Sequence, residues 1–382
     1  MAELMDNYPS IADLEKRARR RIPHFAWTYL ESGTGDDVAR DHNLEALRQI
    51  QFKPQFLKGP LVPDITTTLF GVRYDAPIGI APVGLTGLIW PGADEALATT
   101  AATNQIPYVM STVATTSPEL AGQRARGMGW FQLYPPREED LRRDLIDRAH
   151  AAGLTTLVVT ADVPSPSRRE RQRKARIRVP PEIGPALIAQ SAMRPAWALA
   201  TLRHGLPSFV GLEKYLDAAT MKSTAGFVGA KLGGTLSWDY LETLRQEWSG
   251  PLVVKGILDP DDAQRCVDHG ADAVWVSNHG GRQLDAAIAS IEALPPIVSR
   301  LNKSVPVIFD SGIRDGLDVA RAIALGADFC FAGRPFMFGL GALGDAGADH
   351  ALQILTEGLR TTMHQVGVDR LDSLHERVIE PR

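Results

Sequence analysis

Gly270-Ala271-Asp272-Ala273-Val274-Trp275-Val276-Ser277-Asn278-His279 reads as a helix stop, a short buried strand and a polar loop, in that order. Glycine after a helix takes the left-handed conformation that turns the chain back toward a sheet. The residues 273–276 are apolar on both faces, as in a parallel strand covered by helices. The same cadence returns at Gly326-Ala327-Asp328-Phe329-Cys330-Phe331-Ala332-Gly333-Arg334, and Ala152-Gly153 precedes a third run. Working outward, eight short apolar runs end in polar or glycine residues: 77–81, 107–111, 129–133, 156–160, 252–255, 273–277, 306–310 and 329–332. Helical periodicity lies between them at 94–104, 140–152, 238–248, 260–269 and 316–325.

Eight alternating strand–helix units argue for a closed α/β barrel, the (β/α)8 TIM barrel, over an open doubly wound sheet. Most units lie about 22 to 33 residues apart, a usual βα spacing. Between 160 and 252, roughly 60 residues exceed one unit, so a long insertion follows the fourth strand. Residues 1–382 read as one barrel domain with a lid or insertion at about 175–235. Residues 1–65 carry helical patterns at 11–21 and 26–30 and are expected to cap one end of the barrel.

Apolar residues form 44% of the 382 and charged residues 23%, which suits a globular protein with a sizeable core. A net charge of −4 without a long run of one sign gives no handle for nucleic acid. Cys266 and Cys330 sit in apolar stretches and read as reduced thiols of a cytosolic protein. Residues 1–10 lack a signal pattern and no apolar run can span a bilayer, so a cytoplasmic location is expected. No His/Cys cluster has metal-ligand spacing, so no metal is expected.

Active sites of such barrels are built from the loops at the carboxyl ends of the strands. Those ends read Pro82-Val83-Gly84, Ser111-Thr112, Gln132-Leu133-Tyr134, Thr160-Ala161-Asp162, Lys255-Gly256, Ser277-Asn278-His279, Asp310-Ser311-Gly312 and Gly333-Arg334. Any single Ser, Thr or Asp there is more often a helix cap. A whole ring of polar groups is costly to bury without partners and points to a polar ligand. The last two loops hold Gly312, Arg314, Gly333 and Arg334, where glycine amides and guanidinium groups suit a phosphate. A pair of surface arginines on glycine turns is the plain alternative. No Gly-x-Gly-x-x-Gly follows a strand, which disfavours a Rossmann-type site. His279 at a strand end suits a general base beside Arg282, although a lone histidine is more often structural. Asp162 suits the group that orients it, and Lys255 closes an apolar strand where its ammonium needs an anion.

Several stretches in barrel order match a known pattern: Ser277-Asn278-His279-Gly280-Gly281-Arg282-Gln283-Leu284-Asp285, Ile80-Ala81-Pro82, Phe131-Gln132-Leu133-Tyr134, Thr160-Ala161-Asp162, Arg168-Arg169-Glu170, Val254-Lys255-Gly256 and Gly333-Arg334-Pro335. Over about 11–379 the chain resembles the FMN-dependent 2-hydroxy acid oxidases and dehydrogenases, whose members include glycolate oxidase, lactate dehydrogenase and (S)-mandelate dehydrogenase. The resemblance implies oxidation of an (S)-2-hydroxy acid to the 2-oxo acid, with FMN as cofactor and quinone or oxygen as electron acceptor. It implies that His279 is the base, paired with Asp162, and that Tyr134 bonds the substrate hydroxyl. Arg169 and Arg282 then clamp the substrate carboxylate with help from Tyr29. Pro82, Val83 and Gly84 would border the reactive edge of the flavin, and Ser111, Gln132, Thr160 and Ser277 its ring and ribityl atoms. Lys255 would neutralise the reduced ring, and Asp310, Gly312, Arg314, Gly333 and Arg334 hold the ribityl-phosphate end. A homotetramer is the assembly it implies, and no haem-binding domain is expected ahead of the barrel.

Departures from the pattern bear on substrate. Gly84 stands where glycolate oxidase-like members carry alanine and resembles mandelate dehydrogenase, and Val113 replaces a bulky tryptophan. Ser165-Pro166-Ser167 differs from a leucine-containing loop, and Ser311 replaces a common glycine. A substrate bulkier than glycolate, mandelate-like or lactate-like, is expected unless neighbouring side chains refill the space. The insertion at 180–216 mixes apolar residues such as Ile188, Trp197 and Leu199 with Arg194, Arg203 and Lys214. That mixture suits an interfacial helix on the inner face of a membrane, a mobile lid or an oligomer contact. Two other readings of the chain stay open: a phospho-ligand barrel isomerase, and a non-catalytic FMN-binding sensor.

Overall fold

Left-handed glycines end the helices before three of the barrel strands, with φ of +75° at Gly153, +92° at Gly270 and +100° at Gly326. The aspartate of each Gly-Ala-Asp does a second task. Asp272 Oδ2 accepts from the Leu252 amide at 2.8 Å, and Asp328 Oδ2 from the Val307 amide at 2.7 Å. Each carboxylate thereby fastens the start of its own strand to that of the preceding one.

The structure is a computed structural model that describes residues 2–175, 184–215, 231–234 and 236–379. A short antiparallel hairpin, β1 (Thr67–Leu69) and β2 (Val72–Tyr74), precedes the barrel strands. These are β3 (Ile78–Ile80), β4 (Tyr108–Ser111), β5 (Gly129–Leu133), β6 (Leu157–Thr160), β7 (Leu252–Ile257), β8 (Ala273–Val276), β9 (Val307–Phe309) and β10 (Phe329–Ala332). They close in the order β10-β3-β4-β5-β6-β7-β8-β9, every pair parallel. This is the (β/α)8 barrel expected from the alternating runs. Helices Ala93–Thr103, Glu139–Ala151, Trp238–Glu247, Pro260–Asp268 and Gly316–Ala324 fall within a residue of their sequence positions.

The period-2 alternation of a strand sorts the interior into levels. Val109, Trp130, Val158, Val253, Trp275, Ile308 and Phe331 pack together inside the barrel. Phe331 is the hub, with ring centroids 4.2 Å from Trp275 and 5.3 Å from Trp130. Gly79 makes room for it, because a Cβ there would lie 2.3 Å from the Phe331 ring. Two residues further along each strand, the same inward direction carries Ser111, Gln132, Thr160, Lys255, Ser277, Asp310 and Gly333. One level is therefore apolar and seals the barrel. The next is polar and forms a floor.

The two ends of the barrel are closed differently. The β1–β2 hairpin plugs the amino end: Leu69 and Tyr74 join the interior cluster, and Tyr74 meets Phe329 edge-on at 5.4 Å. No alternating apolar run advertises this plug in the sequence. At the carboxyl end, helices Ile11–Arg21 and His24–Glu31 pack on Arg334–Leu343, and Val38–Gln49 packs on Ser290–Leu301. Beyond β6, helix Glu170–Lys174 returns to the N-terminal segment, where Arg171 pairs with Glu31 at 2.5 Å and with Asp37. In the insertion, helices Pro185–Ala192 and Pro195–His204 are anchored by Trp197, whose indole donates to the Leu88 carbonyl at 3.2 Å. The expected insertion bounds at 180–183 and 216 lie outside the described residues. Among the described residues no helix is long and apolar enough to cross a membrane.

Candidate active site

The polar floor is wired in two chains. Ser111 Oγ donates to Gln132 Oε1 at 2.9 Å, and Gln132 Nε2 donates to Thr160 Oγ1 at 2.9 Å. On the other side Lys255 Nζ donates to Ser277 Oγ at 2.8 Å and pairs with Asp310 at 3.1 Å, over the Trp275 ring. Ser311 links this chain to the loop after β8, donating to Asp310 Oδ1 at 2.8 Å and accepting from the Gly280 amide at 3.0 Å. Its φ of +84° explains why glycine suits the position. Ser111 and Ser277 thus belong to the same polar floor, each hydrogen-bonded to a neighbour in it.

His279 sits at φ +59° and aims Nδ1 at Asp162, 3.0 Å from Oδ1. Gly256, on β7 between the strands that carry the pair, leaves room for Asp162, since a Cβ there would lie 2.6 Å from it. Burial lowers the basicity of the His279 imidazole and outweighs the opposing pull of Asp162, with Lys255 and Arg169 adding to the lowering. For Asp162 burial pushes the carboxyl up, but His279 and Lys255 together leave it below the usual carboxylate range. A neutral imidazole held by a carboxylate can take a proton on its other nitrogen.

A buried amide pair holds that loop from behind. Asn278 and Asn43 exchange side-chain hydrogen bonds of 2.8 Å in both directions, and Asn278 Oδ1 also accepts from the Gly281 amide at 3.1 Å. Asn43 Oδ1 takes the Ser290 amide as well, at 3.1 Å. Sequence reading missed Asn43 because nothing near it in the chain signals chemistry. Its partner is 235 residues away.

One cavity, about 1030 Å³ of free space counted out to its mouth, gathers most of the expected residues. Its walls include Tyr29, Pro82, Val83, Gly84, Val113, Gln132, Tyr134, Thr160, Arg169, Lys255, His279, Arg282, Asp310, Gly312, Arg314, Gly333 and Arg334. Leu30, Ile89, Ile313, Phe331 and Met337 add apolar wall that motif reading did not identify. Among the described residues, no carboxylate pairs with Arg169, Arg282, Arg314 or Arg334. Their hydrogen bonds go to neutral oxygens: Arg282 to the Tyr29 carbonyl at 3.0 Å, Arg334 to the Gly280 carbonyl at 3.0 Å, Arg314 to the Ile313 carbonyl at 2.8 Å, and Arg169 to Ser167 Oγ at 2.9 Å. Burial and the repulsion of Arg169 lower Arg282 to about 10. Burial, then Arg282 and Arg314, lower Arg334 well below its ordinary value. Guanidinium groups crowded in this way call for anions.

Gly84 and Val113 face each other. A Cβ on Gly84 would come within 2.6 Å of Val113 Cγ2 and 3.7 Å of the Tyr29 hydroxyl, which donates to the Gly84 carbonyl at 2.8 Å. The methyl-sized space at Gly84 is thus already taken by Val113. Extra room in the cavity has to come from the small size of Val113 itself.

Sequence and overall fold are similar to those of other proteins. The FMN-dependent dehydrogenase family model matches residues 18–381. The chain belongs to that family. As an FMN-dependent dehydrogenase, it is an oxidoreductase whose cofactor is FMN. It is 37% identical over 375 residues to L-lactate dehydrogenase of Caulobacter vibrioides, covering 98% of both chains. It is 35% identical over 371 residues to (S)-mandelate dehydrogenase of Pseudomonas putida, covering 97% of this chain and 93% of the relative. Among solved structures it is similar to one described as the monotopic membrane protein (S)-mandelate dehydrogenase, with TM-score 0.92, 34% identity and coverage of 98% and 100%. A mandelate oxidase superposes with TM-score 0.83 at 31% identity, over 97% of this chain and 98% of that one.

Proposed function

We propose that this FMN-dependent dehydrogenase oxidises an (S)-2-hydroxy acid bulkier than glycolate, mandelate-like or lactate-like, to the 2-oxo acid. The observation that carries the reading is His279, held by Asp162, lining the same cavity as two arginines without carboxylate partners among the described residues. L-Lactate and (S)-mandelate are the substrates named for the relatives. A non-catalytic flavin sensor needs no proton acceptor, and a phospho-ligand isomerase would not need His279 together with Arg282 and Arg169.

The residues fit FMN. Arg314 and Arg334, next to Gly312 and Gly333, offer guanidinium and close-approaching backbone for the phosphate. Asp310 suits the ribityl hydroxyls, Gln132 and Thr160 the polar ring edge, and Lys255 the pyrimidine end where negative charge gathers on reduction. Pro82, Val83 and Gly84 offer backbone to the opposite edge. When bound, FMN supplies the two-electron acceptor beside the substrate α-carbon.

The chain's own groups do the rest. Arg282 and Arg169 fix the substrate carboxylate and so orient the α-carbon, while the Tyr29 hydroxyl closes that corner. Burial raises the Tyr134 phenol, against the opposing pull of Arg169, so it stays protonated and donates to the substrate hydroxyl oxygen. His279 Nε2 takes the proton released from substrate, and the Asp162 carboxylate stabilises the imidazolium. Val113 sets the width of the side-chain pocket. Electrons leave to a quinone or to oxygen.

The same proposal includes peripheral membrane contact through the insertion. Ile188, Met193, Leu199 and Leu202 are 57%, 63%, 50% and 83% exposed, on the helices anchored by buried Trp197. Assembly as a homotetramer belongs to it too and is read by light scattering.

An anaerobic panel of (S)-mandelate, (S)-lactate, glycolate and (R)-mandelate tests the reaction. Rapid bleaching of the flavin is expected with one or both bulkier (S)-acids, followed by reoxidation with oxygen or a soluble quinone. Flavin that none of these acids bleaches would end the proposal, and preference for glycolate would end the pocket argument.

A further inference from the structure

Asp94 is a buried carboxylate that the proposed reaction does not use. It is 1% exposed in the first turn of helix Ala93–Thr103, and among the described residues no cation pairs with it. Its partners are neutral donors. Thr86 Oγ1 donates to Oδ2 at 2.7 Å, the Thr115 hydroxyl and amide donate to the same oxygen at 2.8 Å each, and the Tyr108 hydroxyl donates to Oδ1 at 2.9 Å. Burial outweighs these donors and holds the carboxyl above the usual carboxylate range. A negative charge in a first turn gains from the helix dipole, but that gain needs no partners from two other loops. Burying the group costs free energy that the fold of the helix alone does not require.

The two threonines come from the loops after β3 and β4. Thr86 follows Gly84 by two residues, and Thr115 follows Val113 by two. Thr115 Oγ1 also accepts from the Gly87 amide at 3.0 Å, and the Leu85 amide donates to the Val113 carbonyl at 2.8 Å. The loops therefore meet at the cavity wall, where a Cβ on Gly84 would lie 2.6 Å from Val113 Cγ2, and again at Asp94. One bond between two loops is a pivot, and a second fixed point removes that freedom. We infer that Asp94 is a positioning residue that holds Val113 at its distance from Gly84 and so sets how large a substrate side chain the cavity accepts. The inference rests on the hydroxy acid reading above and adds the residue that fixes its pocket.

Thr115→Val removes a hydroxyl from the brace at nearly constant volume, and Thr115→Ser keeps it. Thr86→Val removes the other hydroxyl and stands in if Thr115→Val does not fold. The readout is the ratio of kcat/KM for (S)-mandelate to that for (S)-lactate, in which the amount of folded holoenzyme cancels. A methylene's worth of room in an apolar pocket changes such a ratio by about tenfold or more. Each Val variant is therefore expected to raise it about tenfold, and the Ser variant to keep the parent's value. Leu97→Ala, a core change in the same helix, should lower the thermal midpoint and leave the ratio alone. Flavin absorbance titrated with benzoylformate and with pyruvate, without turnover, should show the affinities shifting in the same direction. A ratio within about twofold of the parent's in the Val variants, or one that falls, overturns the inference and leaves the proposed reaction standing. An equal shift in Leu97→Ala overturns it too, since the ratio would then follow helix stability. A parent whose flavin neither acid reduces ends the proposed reaction, and the titration with the two oxo acids then decides this inference by itself.

Discussion

Replacing Asn43 by alanine tests whether the N-terminal segment holds the catalytic loop in place. Asn43 is 1% exposed and makes three hydrogen bonds, two with Asn278 at 2.8 Å and one with the Ser290 amide at 3.1 Å. Each buried bond contributes about 0.5–1.5 kcal/mol net, so the variant should lose roughly 2–4 kcal/mol. The loss reaches His279 because Asn278 Oδ1 also receives the Gly281 amide, which closes the turn containing His279 at φ +59°. A misplacement near 1 Å costs on the order of 100-fold in rate, so anaerobic flavin reduction should slow about 10- to 100-fold at saturating substrate. Stopped-flow absorbance measures the rate, and urea unfolding of the holoenzyme measures stability. Asn43→Asp adds a pH arm. Its carboxylate would face Asn278 Oδ1 at 2.8 Å in a buried site, which raises the folded pKa above the unfolded value of about 3.9. Stability is then closest to the parent below pH of about 3.9 and is lost as pH rises through the raised folded value. Alanine at 43 with stability lowered but reduction rate within about twofold would refute the coupling, as would an aspartate variant insensitive to pH.

Arg282→Met should lower kcat/KM by about 30-fold or more, because it removes a charged partner of the substrate carboxylate. Arg282→Lys should recover part of that, and competition by neutral substrate amides should improve in the Met variant. The acid limb of kcat/KM should lie below the ordinary histidine value of about 6.5, since burial, Lys255 and Arg169 favour neutral His279. Asp162→Asn should move that limb lower still while cutting the rate, because the carboxylate is what opposes the lowering. Gly79→Ala should cost about 1–3 kcal/mol or more, as its Cβ would fall 2.3 Å from Phe331. A fall in thermal midpoint with intact flavin spectrum checks it, and an unchanged midpoint would contradict the interior packing.

Much of the site could be read from the chain because it is built by a repeating rule. Inward residues at strand ends come at fixed offsets from apolar runs, so Gln132, Thr160, Lys255 and Asp310 were identifiable one strand at a time. Which of these groups bond one another, as Ser111 does Gln132 and Lys255 does Ser277, depends on how the strands pair. The room at Gly84 likewise depends on a neighbouring segment. Glycine sets how close a neighbour can come, and here Val113 comes close enough to fill the gap.

The sequence by itself determined what local periodicity and helix-ending glycines encode: eight strands, their order along the chain, and the residues that crown them. Tertiary structure alone decided what depends on pairs far apart in the chain. The β1–β2 plug and the Asn43–Asn278 brace each join segments whose own sequences are unremarkable. A contact between distant residues leaves no periodic trace, because its favourable energy arises only once the barrel has brought both partners together.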